Sequence, residues 1–144
     1  MTYNELIKTI TTLLQSHAQI KTVKNLPPKE WLLKDSQPDF PACCFTINSG
    51  SLNVGLEQNY SVQFFFLDKS GEEGLFEAEV ISDQWQICED IILLMRGTKR
   101  TYTIDEQINI NTIVDKYEDY LAGVETTFNI ETQRAYDGCD APTT

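Results

Sequence analysis

The sequence predicts an α+β domain: an antiparallel β-sheet with an N-terminal helix and a long central helix packed on it. Three observations lead there. Apolar residues recur at three- and four-residue spacing in two separate stretches, near residues 3–17 and 73–96. Between and after them, apolar and polar residues alternate in short runs bounded by Gly, Pro, Asn and Asp. Successive runs are joined by turn-rich connections, which suit antiparallel neighbours.

The elements follow in order. TYNELIKTITTLLQSH sets Leu6, Ile7, Ile10, Leu13 and Leu14 on one stripe, and Thr2 or Asn4 can cap the helix. His17, at its C-terminal end, reads as a residue that complements the helix dipole or faces solvent. IKTVKN, 20–25, is a short strand, Pro27 and Pro28 interrupt regular structure, EWLLK is a second short strand, and SQPDFP is a loop. ACCFTINSG then puts Cys43, Phe45 and Ile47 on one face and Cys44, Thr46 and Asn48 on the other. SGSLNVGLEQ, 49–58, carries two glycines and reads as a long hairpin loop. NYSVQFFFLD alternates Val62, Phe64 and Phe66 against Ser61, Gln63, Phe65 and Leu67. Phe65 and Leu67 on the nominally polar side predict a strand covered on both faces or meeting a partner.

The central helix, 73–96, repeats Ile81, Trp85, Cys88, Ile92 and Met95, has acids biased to its first half, and ends at Gly97. RTYTID and INTIV are further short strands, and DKYEDYLAG is a loop or single helical turn. GVETTFNIETQR gives the clearest strand, with Val124, Thr126, Phe128 and Ile130 inward and Glu125, Thr127, Asn129 and Glu131 outward. One domain, 1–137, is expected, followed by an irregular tail, 138–144.

Net charge is −11 over 144 residues, which argues against a protein that binds nucleic acid by neutralising phosphates. The charge is uneven: five lysines face three acids in residues 1–35, whereas nine acids face Lys116 and Arg134 in 105–144. An acidic and a mildly basic part could let copies meet head to tail, although a solvated acidic surface that aids solubility explains the same numbers. No apolar run reaches the ~20 residues of a transmembrane helix, and MTYNELIKTITTLL lacks the pattern of a signal peptide. The reading is a soluble protein of a reducing cytoplasm, with no membrane partner.

The four cysteines are 43, 44, 88 and 139. Adjacent strand residues point to opposite faces, so Cys43 and Cys44 cannot chelate one ion as a C-x-x-C pair does, and the sole histidine lies far off in sequence. The thiols read as small apolar residues. No nucleophile elbow, phosphate loop, dinucleotide fingerprint, zinc-protease motif or EF-hand spacing occurs. Paired carboxylates such as Glu72 and Glu73, Glu89 and Asp90, or Glu118 and Asp119 read as solvated faces. No catalytic residue, cofactor or metal is assigned.

The order of elements resembles the tail-completion, tail-terminator and neck proteins of tailed bacteriophages. The likeness is carried by YNELIKTITTLLQSH, IKTVKNLP, FPACCFTIN, YSVQFFFLDKS, GLFEAEVISDQWQICEDIILLM and VETTFNIETQRAYD, across about 3–137. It lies in order and phrasing, and departs in the acidic segment 105–122 and the tail YDGCDAPTT. The resemblance implies a non-enzymatic virion protein, assembled in the host cytoplasm. Copies would form a homo-oligomeric ring at the head–tail junction or tail top, touching portal, neck or tail proteins, with DNA passing through unbound. Two other classes stay open: an acidic protein-binding adaptor module, and a small hydrolase with an unrecognised carboxylate site.

Segments 49–58 and 105–122 are the expected assembly surfaces, being poor in core periodicity yet long. Leu52, Val54, Leu56, Tyr117, Tyr120 and Tyr136 are the candidate interface residues. Glu72, Glu73, Glu77, Asp115, Glu118 and Asp119 are the candidate acids of a channel wall.

Overall fold

A computed structural model describes residues 1–34, 39–53, 55, 57–71, 76–97, 101–116 and 120–133, without the side chains of Asp115 and Lys116. The order is α1 (Tyr3–Gln15), β1 (Thr22–Lys24), α2 (Pro28–Lys34), β2 (Ala42–Leu52), β3 (Glu57–Lys69), α3 (Glu77–Met95), β4 (Tyr102–Ile104), β5 (Ile110–Lys116) and β6 (Leu121–Gln133). The fold is α+β, with the N-terminal and central helices packed on a mostly antiparallel sheet.

The sheet runs β1-β2-β3-β6-β4, with β5 also on β6; β1 and β2 are parallel and every other pair is antiparallel. β3 and β6 pair along their whole lengths, from Glu57 opposite Gln133 to Lys69 opposite Leu121. β5 and β4 lie end to end on the far side of β6, against 121–126 and 130–132. Their connection is tied down by Thr126 Oγ1 donating to the Asn109 carbonyl and by Arg96 Nη2 donating to the carbonyls of Asp105 and Glu106.

One face of the sheet is continuous core. Cys43, Phe45, Val62, Phe64, Phe66, Val124, Phe128 and Ile130 meet Leu6, Ile10 and Leu14 of α1 and Ile87, Cys88, Ile91 and Met95 of α3. Phe64 lies at its centre, stacked 5.1 Å from Phe128 with 17° between planes. The Thr2 and Glu5 capping box starts α1: the Thr2 N–H donates to Glu5 Oε2 at 2.6 Å and the Glu5 N–H to Thr2 Oγ1 at 3.2 Å. The Thr2 bond holds the Glu5 carboxyl below its usual range.

The opposite face is divided. At one end α2 covers it, and Trp31 packs among Ala42, Cys44, Phe65, Leu67, Ile113 and Leu121. That is the second cover expected from Phe65 and Leu67. Gly123 belongs to this crowded end: a Cβ there would overlap the Phe66 carbonyl oxygen, so only glycine allows β6 to approach β3 here.

Five expectations need correction. DKYEDYLAG is not one loop or helical turn: Asp115 and Lys116 end β5, and Leu121, Ala122 and Gly123 open β6, because their pairing with each other and with β3 extends both strands. EWLLK is helix α2, not a strand. Pro28 occupies the first helical position, where a missing N–H costs nothing and φ is already set, so the proline pair starts structure instead of interrupting it. Segment 49–58 is mostly ladder: Ser51 pairs with Asn59 and Leu52 with Gln58, and the Asn53 N–H closes onto the Glu57 carbonyl. On α3 Cys88, Ile92 and Met95 are buried as expected, but in the first turns Val80 and Gln84 take the buried stripe and Ile81 and Trp85 stand at its margin, with Ile87 and Ile91 buried besides. His17 is not solvent-facing. Its Nε2 lies 2.9 Å from Asp90 Oδ2, tying α1 to α3, and its Nδ1 accepts the Gln19 N–H. Only 12% of its side chain is exposed.

The expected tail, 138–144, lies outside the described residues. Among those described, no helix is long and apolar enough to cross a membrane.

Candidate functional site

Strand alternation dictates what the uncovered end of the second face presents. Continuing from Cys44, Phe65 and Leu121, the same side of β2 carries Thr46, Asn48, Ser49 and Ser51, with an irregularity between Ile47 and Ser49. β3 carries Glu57, Asn59, Ser61 and Gln63, and β6 carries Glu125, Thr127, Asn129 and Glu131. All are exposed or half-buried. The strands are adjacent, so these residues form one flat surface of hydroxyls, amides and carboxylates. None of them is Lys or Arg. In register, Gln63 sits opposite Thr46 and Thr127, and Asn59 opposite Ser51 and Glu131. The side chains bond along the surface: Thr46 Oγ1 donates to Asn48 Oδ1 at 2.9 Å, and Asn48 Nδ2 to Gln63 Oε1 at 3.4 Å.

Two carboxylates meet on this surface. Glu57 and Glu131 share a hydrogen bond, and the charge of Glu57 beside it also raises the Glu131 pKa. Like charges this close hold a proton between them in acid and repel at neutral pH. Such a pair gives negative potential and proton exchange. It is solvated on the sheet surface, and Glu131 lines an open cleft with Thr101, Thr103 and Gln133. The nearest described lysines of strands on this side, Lys24 and Lys69, belong to the α2 end, where Lys69 Nζ lies 5.7 Å from the Phe40 ring centroid.

The thiols are built into the core. Cys43 and Cys44 face opposite sides of β2 and belong to the two different clusters. Burial raises all three described thiols, Cys43 well above the ordinary value and Cys44 and Cys88 to about 12. They are thiols, not thiolates, at neutral pH and so poor ligands and nucleophiles. Among the described residues no three His, Cys, Asp or Glu side chains come together as a metal site.

The interface residues expected from sequence do not form one patch. Leu52 ends β2 and is 53% exposed. Tyr120 stands at the far end of the sheet, ~36 Å away by the eleven-residue run of β3 between the two levels. Tyr120 adopts φ 54°, and its carbonyl accepts both the Ser70 N–H at 2.9 Å and the Ser70 hydroxyl at 2.6 Å. Val54, Leu56, Tyr117 and Tyr136 lie outside the described residues. Of the expected channel acids, Glu77 stands half-buried in the first turn of α3 and Asp115 lies on β5. Glu72, Glu73, Glu118 and Asp119 lie outside the described residues.

The polar surface was only half visible in the sequence. Alternation marks the outward residues of each strand, but nothing in the chain says that β6 inserts beside β3, which sets Asn59 and Gln63 next to Glu131 and Thr127. Comparisons with protein-family models and with curated proteins find no match for this chain.

Proposed function

We propose that this chain is a non-enzymatic structural protein of a tailed-phage virion. Copies form or join a ring at the head–tail junction or tail top around the DNA channel. The observation that carries this reading is the open polar end of the second sheet face, rich in amides and hydroxyls, where the described strand residues include Glu57, Glu125 and Glu131 and no Lys or Arg. Such a wall suits a conduit. Carboxylates repel phosphates over about 8–10 Å at ordinary salt, and without Lys or Arg no counterion-releasing contact would hold the duplex. The chain's element order, which resembles the phage tail-completion and neck proteins, supports the same assignment, as does its net charge of −11.

The neighbours in this reading are other copies of the chain and the portal, neck or tail proteins above and below. No cofactor takes part. The test is to make particles without this protein and add it back. The expected result is heads and tails that fail to join or tails that lack their end, restored by the purified chain, with rings visible by negative-stain microscopy. Complete, infectious particles in its absence would overturn the proposal.

A further inference from the structure

The two edges of the sheet are finished differently. β1 pairs with β2 only at residues 42–44. Beyond that, among the described residues, nothing pairs with the outer side of 46–52. A free strand edge is a template for another strand, and proteins guard such edges with lysine, proline or other charge. Here residues 42–56 hold none of these, in a chain where 23% of residues are charged. The irregularity between Ile47 and Ser49 is the single guarding device. The opposite edge is alike: β5 pairs only with β6, and its residues 110–114 are uncharged between Asp105, Glu106 and Asp115. Val114 there is 48% exposed. In so acidic a protein, copies can approach on these two strand edges without charge repulsion.

We propose that the outer edge of β2, residues 46–52, pairs with the outer edge of β5 of a second copy, antiparallel, and that this is the subunit contact of the ring proposed above. The inference rests on that reading for its closure. Topology allows it. β2, β3, β6 and β5 alternate in direction, so β5 runs opposite to β2. A second copy in the same orientation therefore offers β2 an antiparallel neighbour, and the contact joins two different surfaces, as a closed ring requires. Lengths agree, since 46–52 and Ile110–Lys116 each span seven residues.

The levels add a constraint. Ile113 lies level with Gly123, Leu67 and Ala42, whereas the free part of β2 is centred on Ser49. Each copy is thus displaced along the strands by about seven residues, ~23 Å, relative to the last. That stagger clears β1 and inclines the strands to the ring axis, as closed sheets require. It also sets the open polar end of one copy beside the α2-covered end of the next.

The experiment is cross-linking in a Cys139→Ser background, where the buried thiols stay unreactive. Ser51→Cys and Asn111→Cys, exposed positions of the same sheet face that this register sets opposite each other, are introduced together and singly and treated with a short bis-maleimide. Circular dichroism verifies folding, and hydrogen exchange of the unsubstituted chain supplies a second readout. The expected result is a ladder of covalent oligomers beyond dimer from the double variant only. Amides in 46–52 should gain at least tenfold protection on assembly. Dimers from Ser51→Cys alone would mean two-fold β2 pairing and would overturn the proposal. Rings seen by microscopy without a ladder or edge protection would overturn the edge contact and leave the ring reading standing. Neither rings nor ladder would overturn both.

Discussion

The two faces of this sheet are made by the same strands and obey opposite rules. Phe64 and Gln63 are neighbours in β3, yet Phe64 is 1% exposed at the centre of the core and Gln63 lies on the open polar surface. The α1 and α3 face is mainly apolar along its length, with Thr126 and Thr132 the buried polar residues of β6, because two helices span it. The other face is apolar only as far as α2 reaches, and then changes to Ser, Thr, Asn, Gln and Glu. The change comes where the helix ends while the strands continue. Folding requires the first face and the covered end of the second. It does not dictate the composition of the open end, where neutral residues and carboxylates without a cation point to function.

The sharpest way to break this contrast is at the covered end. Gly123→Ala puts a methyl group into the Phe66 carbonyl, so β6 and β3 must separate. The expected outcome is loss of the folded state or destabilisation above about 4 kcal/mol, measured by chemical denaturation. Next comes the paired comparison in β3. Phe64→Ala should cost about 3–5 kcal/mol, whereas Gln63→Ala should stay within about 0.5 kcal/mol. Equal effects would erase the distinction between the faces.

A smaller effect concerns the thiols. Cys43, Cys44 and Cys88 should resist a thiol reagent until the protein unfolds, and Cys43→Ala should cost about 1–2 kcal/mol. Rapid native-state labelling of any of the three would contradict their placement.

The smallest effect lies on the open surface. The folded protein holds the Glu131 proton more tightly than the unfolded chain does, because Glu57 hydrogen-bonds the protonated carboxyl and its charge disfavours the Glu131 carboxylate. Whatever stability this proton adds is present in acid and lost as pH rises through and beyond the ordinary carboxylate value of 4.5. Glu131→Gln should therefore raise the melting temperature relative to the parent more at neutral pH than in acid. A pH-independent difference would mean that the two carboxyls do not interact.

Much of the fold was legible because burial imposes periods. The alternation in 59–68 and 123–134 marked β3 and β6, and Phe65 with Leu67 announced a second cover. The cover itself was not legible. A helix of seven residues is too short to show a period, and its opening prolines resemble a break. Segment 49–58 has the composition of a loop, but pairing with β3 overrides the weak strand preference of Ser, Gly and Asn. Periodicity marks the second half of the α3 stripe, Cys88, Ile92 and Met95, but not the first, where Gln84 is 1% exposed despite its polarity and Trp85 sits at the margin, its Nε1 donating to Glu89. The open surface escaped for another reason: it is set by which strands are neighbours, and no local pattern encodes that.

The most direct test of the central claim is an electron cryo-microscopy structure of the assembled ring. The account predicts a closed ring whose channel is walled by the open end of the second sheet face, with Glu57, Glu125, Glu131 and the neighbouring amides toward the lumen. A channel lined by lysine or arginine, with this surface turned outward to solvent, would contradict it.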